Sequence, residues 1–400
     1  MLKSIKQFSF INRIKFFRFL RNKHTPSKMR GNVGLSVHMI SYREYSPNGG
    51  KGGGSAVMSM CYELLKDCKN ITFSFQDRRY YKHNALNTLW GAYYFTKEKT
   101  KHDSSETLYI THDEDTAFAL YILGKRYVLI HHLQGSRIDE IYKYKVAVSK
   151  KNIRLLMATE AIAFRNAIFV CFPSDGAIRE FFNSKNRWIF KFSIGPILYN
   201  TVFEPKIIRN IKQIKSEANT ITLLSVGQMF YPKGMDLLPV FYNNLLDSYP
   251  NKSFRAILIG NGELKPKIMH ELNKLSARHA NFSYIQYDKL SHEELSYLQK
   301  ISDAYVMLHR ISIFDLSTLE MMMMGKAVIL SRQGGNLSFN KKGNIIFTDG
   351  INLPPNLSLS ELKHYGELNR KVFETYFSKK VFKKEYISMI SLAKNKAQNA

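Results

Sequence analysis

The chain has 400 residues, 44% of them hydrophobic, enough for two or three domains with sizeable cores. Its three cysteines, Cys61, Cys68 and Cys171, are an odd set without metal-ligand spacing, which argues against a disulfide framework or a zinc module and favours a reducing compartment. The 59 Lys+Arg against 32 Asp+Glu leave a formal net charge of +27, which calls for a polyanionic partner; with no Cys/His finger spacing and no RNP-like strand, an anionic membrane face or a phosphorylated substrate is favoured over nucleic acid.

Residues 1–29 read as a basic amphipathic extension. Lys3, Lys6, Arg13, Lys15, Arg18, Arg21, Lys23 and Lys28 stand there without an acid, interleaved with Ile5, Phe8, Ile11, Phe16, Phe17, Phe19 and Leu20. The dispersed charge leaves no apolar core for a signal peptide, and no stretch reaches the ~18 apolar residues of a transmembrane helix. The pattern predicts a helix lying on an anionic inner leaflet; packing of that helix on the protein, or a frayed tail, is the competing reading.

Alternating strand and helix patterns follow. Strands are predicted at 32–40, 71–75, 107–113, 127–132, 167–174 and 188–194, with helices at 56–66, 116–123 and 141–164. A Gly-rich loop at 48–55 follows the first strand, and 76–106 is given no element. A polar segment at 197–205, ending in Pro205, separates a second series. Its strands are predicted at 220–227, 254–262, 282–287, 304–309 and 327–331, with an edge strand at 344–349. Its helices are predicted at 234–246, from 262 to about 279, and at 291–301, where Ser291 and Glu294 have the spacing of a capping box. Residues 359–396 read as helical and Lys-rich. Two βα series predict two parallel, doubly wound sheets. The Met run 321–324 reads as core filler.

Residues 312–329, SIFDLSTLEMMMMGKAVI, are the most informative stretch. Ser317 is the predicted N-cap of a helix with Glu320 in its first turn and Gly325 at its end. A helix N-terminus presents unpaired N–H groups and a positive dipole end, which suit a diphosphate. A carboxylate one turn in can accept hydrogen bonds from two ribose hydroxyls. Ser317 and Glu320 also have the S-x-x-E spacing of a capping box, in which Glu320 needs no ligand.

This segment resembles the signature of the retaining nucleotide-sugar glycosyltransferases of family 4, whose members have the GT-B fold. Phe314, Leu316 and Glu320 match its Phe-Gly-Leu and second Glu; Asp315 replaces its Gly and Ser312 its first Glu. LHRIS (308–312) is similar to a run in bacterial surface-polysaccharide transferases, through Leu308, His309 and Arg310. SVGQMFYPKGMD (225–236) resembles the family's Val-Gly-Arg-Leu…Lys-Gly segment, with Gln228 in place of the Arg and Lys233 and Gly234 retained. GNGEL (260–264) resembles the Gly turn that packs beside the nucleotide, and Asn200, Thr201 and Val202 stand near the family's Asn-Gly-Val. The resemblance implies Lys233, Glu320 and His132 as catalytic residues. It implies ligand contacts at Gly53, Gly54, His131, Gln228, Gly262, Arg310, Ser312, Leu316 and Ser317, and it requires neither metal nor cofactor. His112 and Asp113 resemble the family's His-x-His-Asp strand end. Each histidine also has a bland reading as a satisfied core residue, and Arg310 as a surface ion pair.

The expected organisation is α/β, GT-B: a basic extension at 1–29, an acceptor-binding Rossmann-like domain at 30–200 and a nucleotide-sugar-binding Rossmann-like domain at 201–358, the two facing a cleft. Helices at 359–400 are expected to return to the first domain. The expected activity is retaining transfer from a nucleoside-diphosphate sugar to a lipid-linked or glycan acceptor. The resemblance places it in O-antigen, lipopolysaccharide or capsule synthesis, in the cytoplasm on the inner membrane face. A non-catalytic homologue that binds a glycan or steadies a partner is the alternative.

Overall fold

The computed structural model describes residues 21, 36–43, 45, 53–76, 85–143, 148–184, 191–204, 219–351 and 357–398. They divide into two compact units. The first comprises Met1–Pro173, Phe181–Leu198 and Phe382–Ala400, the second Ser174–Glu180 and Tyr199–Val381. The predicted amphipathic helix at 1–29 lies outside the described residues except for Arg21, as do most of the Gly-rich loop and residues 205–218. No helix among the described residues is long and apolar enough to cross a membrane.

In the first unit, β1 (Val37–Ser41), β2 (Ile71–Phe75), β3 (Leu108–Thr111), β4 (Tyr127–Ile130), β5 (Val170–Phe172) and β6 (Ile194–Ile197) form a parallel sheet in the order β2-β1-β3-β4-β5-β6. Strands β3 and β4 are buried at every residue, as a parallel sheet covered on both faces requires. The helices are α1 (Gly54–Leu65), α2 (Ala85–Lys99), α3 (Glu114–Ile122), α4 (Arg137–Lys143) and α5 (Lys150–Asn166); α6 (Asp175–Asn183) has Asp175–Glu180 in the second unit and only its last residues in the first. Helix α2 arises in the stretch that periodicity left without an element; its Leu89, Trp90, Tyr93 and Phe95 are core residues. The single helix predicted at 141–164 is instead α4 and α5, because Ser149 starts a new helix by accepting a bond from the Asn152 N–H at 3.4 Å. The last strand is Ile194–Ile197; of the span predicted at 188–194, residues 188–190 lie outside the described residues and 191–193 carry no strand.

In the second unit, β7 (Thr220–Val226), β8 (Ser253–Ile259), β9 (Phe282–Tyr287), β10 (Ala304–Met307), β11 (Ala327–Leu330) and β12 (Ile346–Phe347) form a parallel sheet ordered β12-β11-β10-β7-β8-β9. The chain runs from β7 outward to β9, then crosses to β10 and runs outward the other way. The C-terminal ends of β7 and β10 therefore flank the topological switch point, where doubly wound sheets bind ligands. Helices α7 (Leu238–Ser248), α8 (Lys265–Arg278), α9 (His292–Ile301), α10 (Leu316–Met323) and α11 (Leu359–Tyr376) cover the sheet. The capping box of α9 is formed in both halves: Ser291 N–H donates to Glu294 at 2.7 Å and Glu294 N–H to the Ser291 hydroxyl at 3.1 Å. Met321, Met322 and Met323 are buried in the core.

Helix α11 stays in the second unit, packed against α10 and β11. Gly366 permits the approach, since a Cβ there would lie 2.1 Å from the Gly325 carbonyl oxygen. Only α12 (Lys379–Gln398), from Phe382 onward, joins the first unit, where the Tyr386 ring stacks on His112 at 6.3 Å. The return expected for all of 359–400 is confined to that helix.

Candidate active site

The switch point of the second unit is built from glycine-permitted close approaches. Gly234 has φ +67, and a Cβ on it would lie 1.8 Å from the Leu308 carbonyl oxygen. Only glycine combines this left-handed backbone with that contact. The tight turn Tyr231–Lys233 is thereby pressed onto the end of β10, and the Arg310 and Ile311 N–H groups both donate to the Pro232 carbonyl. Gly234 ends that turn and begins a second 3-10 turn, Met235–Leu237, which leads into α7 at Leu238. Gly260 and Gly262 play the same part for the neighbouring loop: Cβ atoms on them would lie 1.8 Å from the Gly227 oxygen and 2.6 Å from the Met229 oxygen. Gly262 is thus a packing residue of the β7 loop.

Helix α10 is capped by Asp315 and not by Ser317. The Asp315 Oδ2 accepts from the Thr318 N–H at 3.0 Å, the Thr318 hydroxyl at 3.1 Å and the Tyr305 hydroxyl at 3.0 Å. Asp is as good a cap as Ser, and here it has three donors to satisfy. The helix therefore starts two residues earlier than predicted. Leu316 is its first residue, Ser317 lies beside the Tyr305 hydroxyl, and Glu320 is beyond the first turn. A capping box of Ser317 and Glu320 is excluded by this register. Glu320 instead accepts a 2.6 Å hydrogen bond from the Gln299 amide of α9. Burial raises its pKa to about 7, opposed by Gln299 and reinforced by the Asp315 charge.

Lys233 meets Asp315 in this site, with Nζ 3.5 Å from Oδ1. His309 Nε2 lies 3.7 Å from the same oxygen. Burial works against the Asp315 carboxylate, but Lys233, His309, the Thr318 N–H and the Tyr305 hydroxyl together hold its pKa below the usual range. Burial pushes His309 down to about 4, so its ring is neutral near pH 7, and both ring nitrogens are buried without a hydrogen-bond partner. The Ser312 hydroxyl is likewise buried and unpartnered, while its carbonyl accepts from the Gly335 N–H at 2.7 Å. Gln228, in place of the family's cation, is exposed.

Arg310 does not replace that cation. Its guanidinium is bound in a fork to Asp236 at 2.7 and 2.9 Å, donates to the Tyr231 carbonyl, and lies 4.2 Å over the Tyr231 ring. A bidentate carboxylate neutralises it, so the expected phosphate contact gives way to an ion pair. Beside it a cavity of about 600 Å³ opens at the ends of β10, β11 and β12, lined in part by His309, Arg310, Arg332 and Phe347.

In the first unit, the ends of β1 and β3 flank the other switch point. Gly53 has φ +69 and precedes α1, with open space around it. A Cβ on Gly54 would lie 3.3 Å from both the Arg43 guanidinium and the His112 carbonyl oxygen. Arg43, which sequence reasoning passed over, has its Nε buried without a hydrogen-bond partner, and its charge bears on His112 and His132. His112 Nδ1 and His132 Nε2 share a 2.9 Å hydrogen bond between stacked rings. Burial lowers both pKa values, His112 to about 3, so this is a neutral pair with one proton between the facing nitrogens. Asp113 caps α3, accepting from Thr116 N–H at 2.7 Å and from Ser41 at 2.6 Å.

His131 is not available to a ligand. Its Nδ1 faces Glu114 at 2.8 Å, its Nε2 faces the Gly135 carbonyl at 2.9 Å, and Phe164, Phe172 and Phe181 surround the ring. Two acceptors demand two donors, so the imidazolium is the form that fits. Burial disfavours that charge, but Glu114, Glu160 and the carbonyl raise the pKa, while Glu114 falls to about 2. The expected ligand contact of His131 is thus a buried ion pair.

The sequence of residues 206–365 matches the family model described as glycosyl transferases group 1. No curated protein matches the chain. Among solved structures, it is similar to a sucrose-phosphate synthase from Thermosynechococcus elongatus, with TM-score 0.65 and 14% identity over 90% of this chain and 99% of that one. It is similar to a UDP-forming α,α-trehalose-phosphate synthase from Burkholderia vietnamiensis, with TM-score 0.60 and 13% identity over 89% and 100%. Anabaena HepE, in complex with UDP and glucose, gives TM-score 0.60 and 14% identity over 89% and 99%. At such identities the likeness speaks for the fold, which is GT-B. Residues 206–365 are a glycosyl transferases group 1 domain on that fold.

Proposed function

We propose that the chain is a retaining transferase that moves a sugar from a nucleoside-diphosphate sugar to a lipid-linked or glycan acceptor in bacterial surface-polysaccharide synthesis. The observation that carries this reading is Lys233, held at the switch point of the second unit by the Gly234–Leu308 approach. The relatives crystallised with UDP and glucose, or described as UDP-forming, support a nucleoside-diphosphate donor. In the reaction the acceptor hydroxyl oxygen bonds to the anomeric carbon as the bond from that carbon to the phosphate oxygen breaks. The hydroxyl proton passes to the leaving phosphate on the same face, which retains configuration. Lys233 stabilises the charge that develops on that phosphate. Glu320 accepts from the ribose hydroxyls, and the neutral His132 serves as a hydrogen-bond partner of the sugar.

An inner-membrane station rests on the first thirty residues, with nine Lys and Arg and no acid. The test is turnover of a panel of nucleotide sugars on lipid-linked acceptors, with product mass and anomeric configuration read by mass spectrometry and NMR. Lys233→Ala should lower kcat by about 10²-fold with the fold intact. Near-normal turnover by that variant would remove Lys233 from the reaction. Nucleotide binding without any turnover would favour the non-catalytic role.

A further inference from the structure

We infer that Asp315 is a specificity-determining residue that competes with the donor's phosphates for Lys233; the inference rests on the donor reading of this site. Asp315 stands where the segment's relatives have glycine, so the carboxylate is an addition to the site. It occupies both features that would hold a phosphate there. Its Oδ2 takes the Thr318 N–H at the start of α10 at 3.0 Å, and its Oδ1 faces the Lys233 ammonium at 3.5 Å. Its side chain is only 9% exposed, so solvent screens the pair weakly. The nearby guanidinium of Arg310 is already bound in a fork by Asp236, Gln228 brings no charge, and His309 is neutral. A diphosphate arriving at Lys233 therefore meets a carboxylate beside its one cationic partner in this group. Capping alone does not call for the charge, because asparagine caps a helix as well as aspartate. The consequence is a site that holds nucleoside diphosphate loosely and releases it readily after transfer.

The experiment is calorimetric titration of the full-length protein with UDP, GDP and ADP and with the matching nucleosides, at low and high salt. Asp315→Asn keeps the cap and removes the charge. It should bind the preferred diphosphate about tenfold tighter or more at low salt, with nucleoside affinity unchanged and a modest loss of melting temperature as the ion pair with Lys233 is removed. The gain should vanish when Lys233→Ala is added. Unchanged or weaker diphosphate binding by Asp315→Asn, with Lys233→Ala still weakening it, would overturn the inference and make Asp315 a residue that aligns the lysine. Diphosphate binding indifferent to Lys233→Ala, or absent from every variant, would sink the donor reading itself.

Discussion

Gly234→Ala tests whether one backbone approach positions the candidate catalytic lysine. The added Cβ would lie 1.8 Å from the Leu308 carbonyl oxygen, where real Cβ contacts stay above 3.0 Å, and both partners are main chain. No rotamer relieves such a clash, so the turn Tyr231–Lys233 and the end of β10 must separate by about 1 Å. The left-handed backbone adds strain of roughly 1–2 kcal/mol for any residue with a Cβ. A misplacement of about 1 Å in a group that acts through geometry can cost about 10²-fold in rate. Gly343→Ala is the control: Gly343 has φ +69, but nothing lies within 4 Å of its Cβ position. Both variants should lose melting temperature, whereas only Gly234→Ala should lose about 10²-fold in sugar transfer and its affinity for nucleoside diphosphate. Equal activity in the two variants would refute the reasoning, because strain alone would then account for Gly234.

Glu320→Gln should weaken nucleotide affinity by roughly tenfold at pH 8 and by less at pH 6. The wild-type carboxyl, with its pKa raised to about 7, gains its accepting charge only as pH rises through that value, and Gln has no such step. Isothermal titration across pH checks it; a variant with the wild-type pH profile would leave Glu320 a partner of Gln299 alone. His131→Ala should destabilise the fold by about 3–5 kcal/mol, because it leaves Glu114 buried without its cation. The sign is fixed by the two shifts. The raised His131 pKa contributes stability below about pH 6.5 that fades as pH rises through its folded value. The depressed Glu114 pKa contributes stability above about pH 4.5 that is lost as pH falls toward 2. The loss in His131→Ala should therefore peak between those limits, as read by thermal melts. His132→Ala should instead reduce transfer about tenfold with a smaller change in melting temperature, since its partner His112 is neutral.

Much of the fold was legible because burial on both sheet faces writes itself as unbroken apolar runs: YVLI, AYVM and AVIL are strands, each ending one or two residues before its predicted limit, where the polar His131, His309 and Ser331 begin the loops or lie in them. The stretch 76–106 was opaque because α2 buries aromatic residues whose spacing is mixed with Lys and Thr, so that its apolar face carries little periodicity. The Lys-Gly pair and the two glycines at 260 and 262 were legible as a motif, but only coordinates give its physical reason, three carbonyl oxygens standing where Cβ atoms would be. Asp315 was read as a missing glycine and not as the cap, because S-x-x-E at 317–320 offered a competing register of equal local quality. What broke the tie was Tyr305, ten residues upstream on β10, whose hydroxyl also needs the Asp315 oxygen. Similarly, nothing local separates His131 from His132. Alternation on a strand end sends one ring in among three phenylalanines and Glu114, the other toward His112 and the β1 loop.

The charge of the chain and the charge of its candidate site do not coincide. A net +27 would ordinarily be read as a demand for phosphate, yet in the second unit Lys233 faces Asp315, Arg310 is forked by Asp236, and burial keeps His309 neutral. The excess lies elsewhere, in the nine Lys and Arg of the first thirty residues and in runs such as Lys379, Lys380, Lys383 and Lys384 at the start of α12. Charges that are dispersed and solvated act over a Debye length and hold a protein to a surface; charges fixed at short range in a crevice discriminate between ligands. In the second unit the charges of the second kind are balanced to near neutrality. Under the proposed function, such a separation suits a transferase whose acceptor is anchored in an anionic surface and whose diphosphate product must leave after every turn.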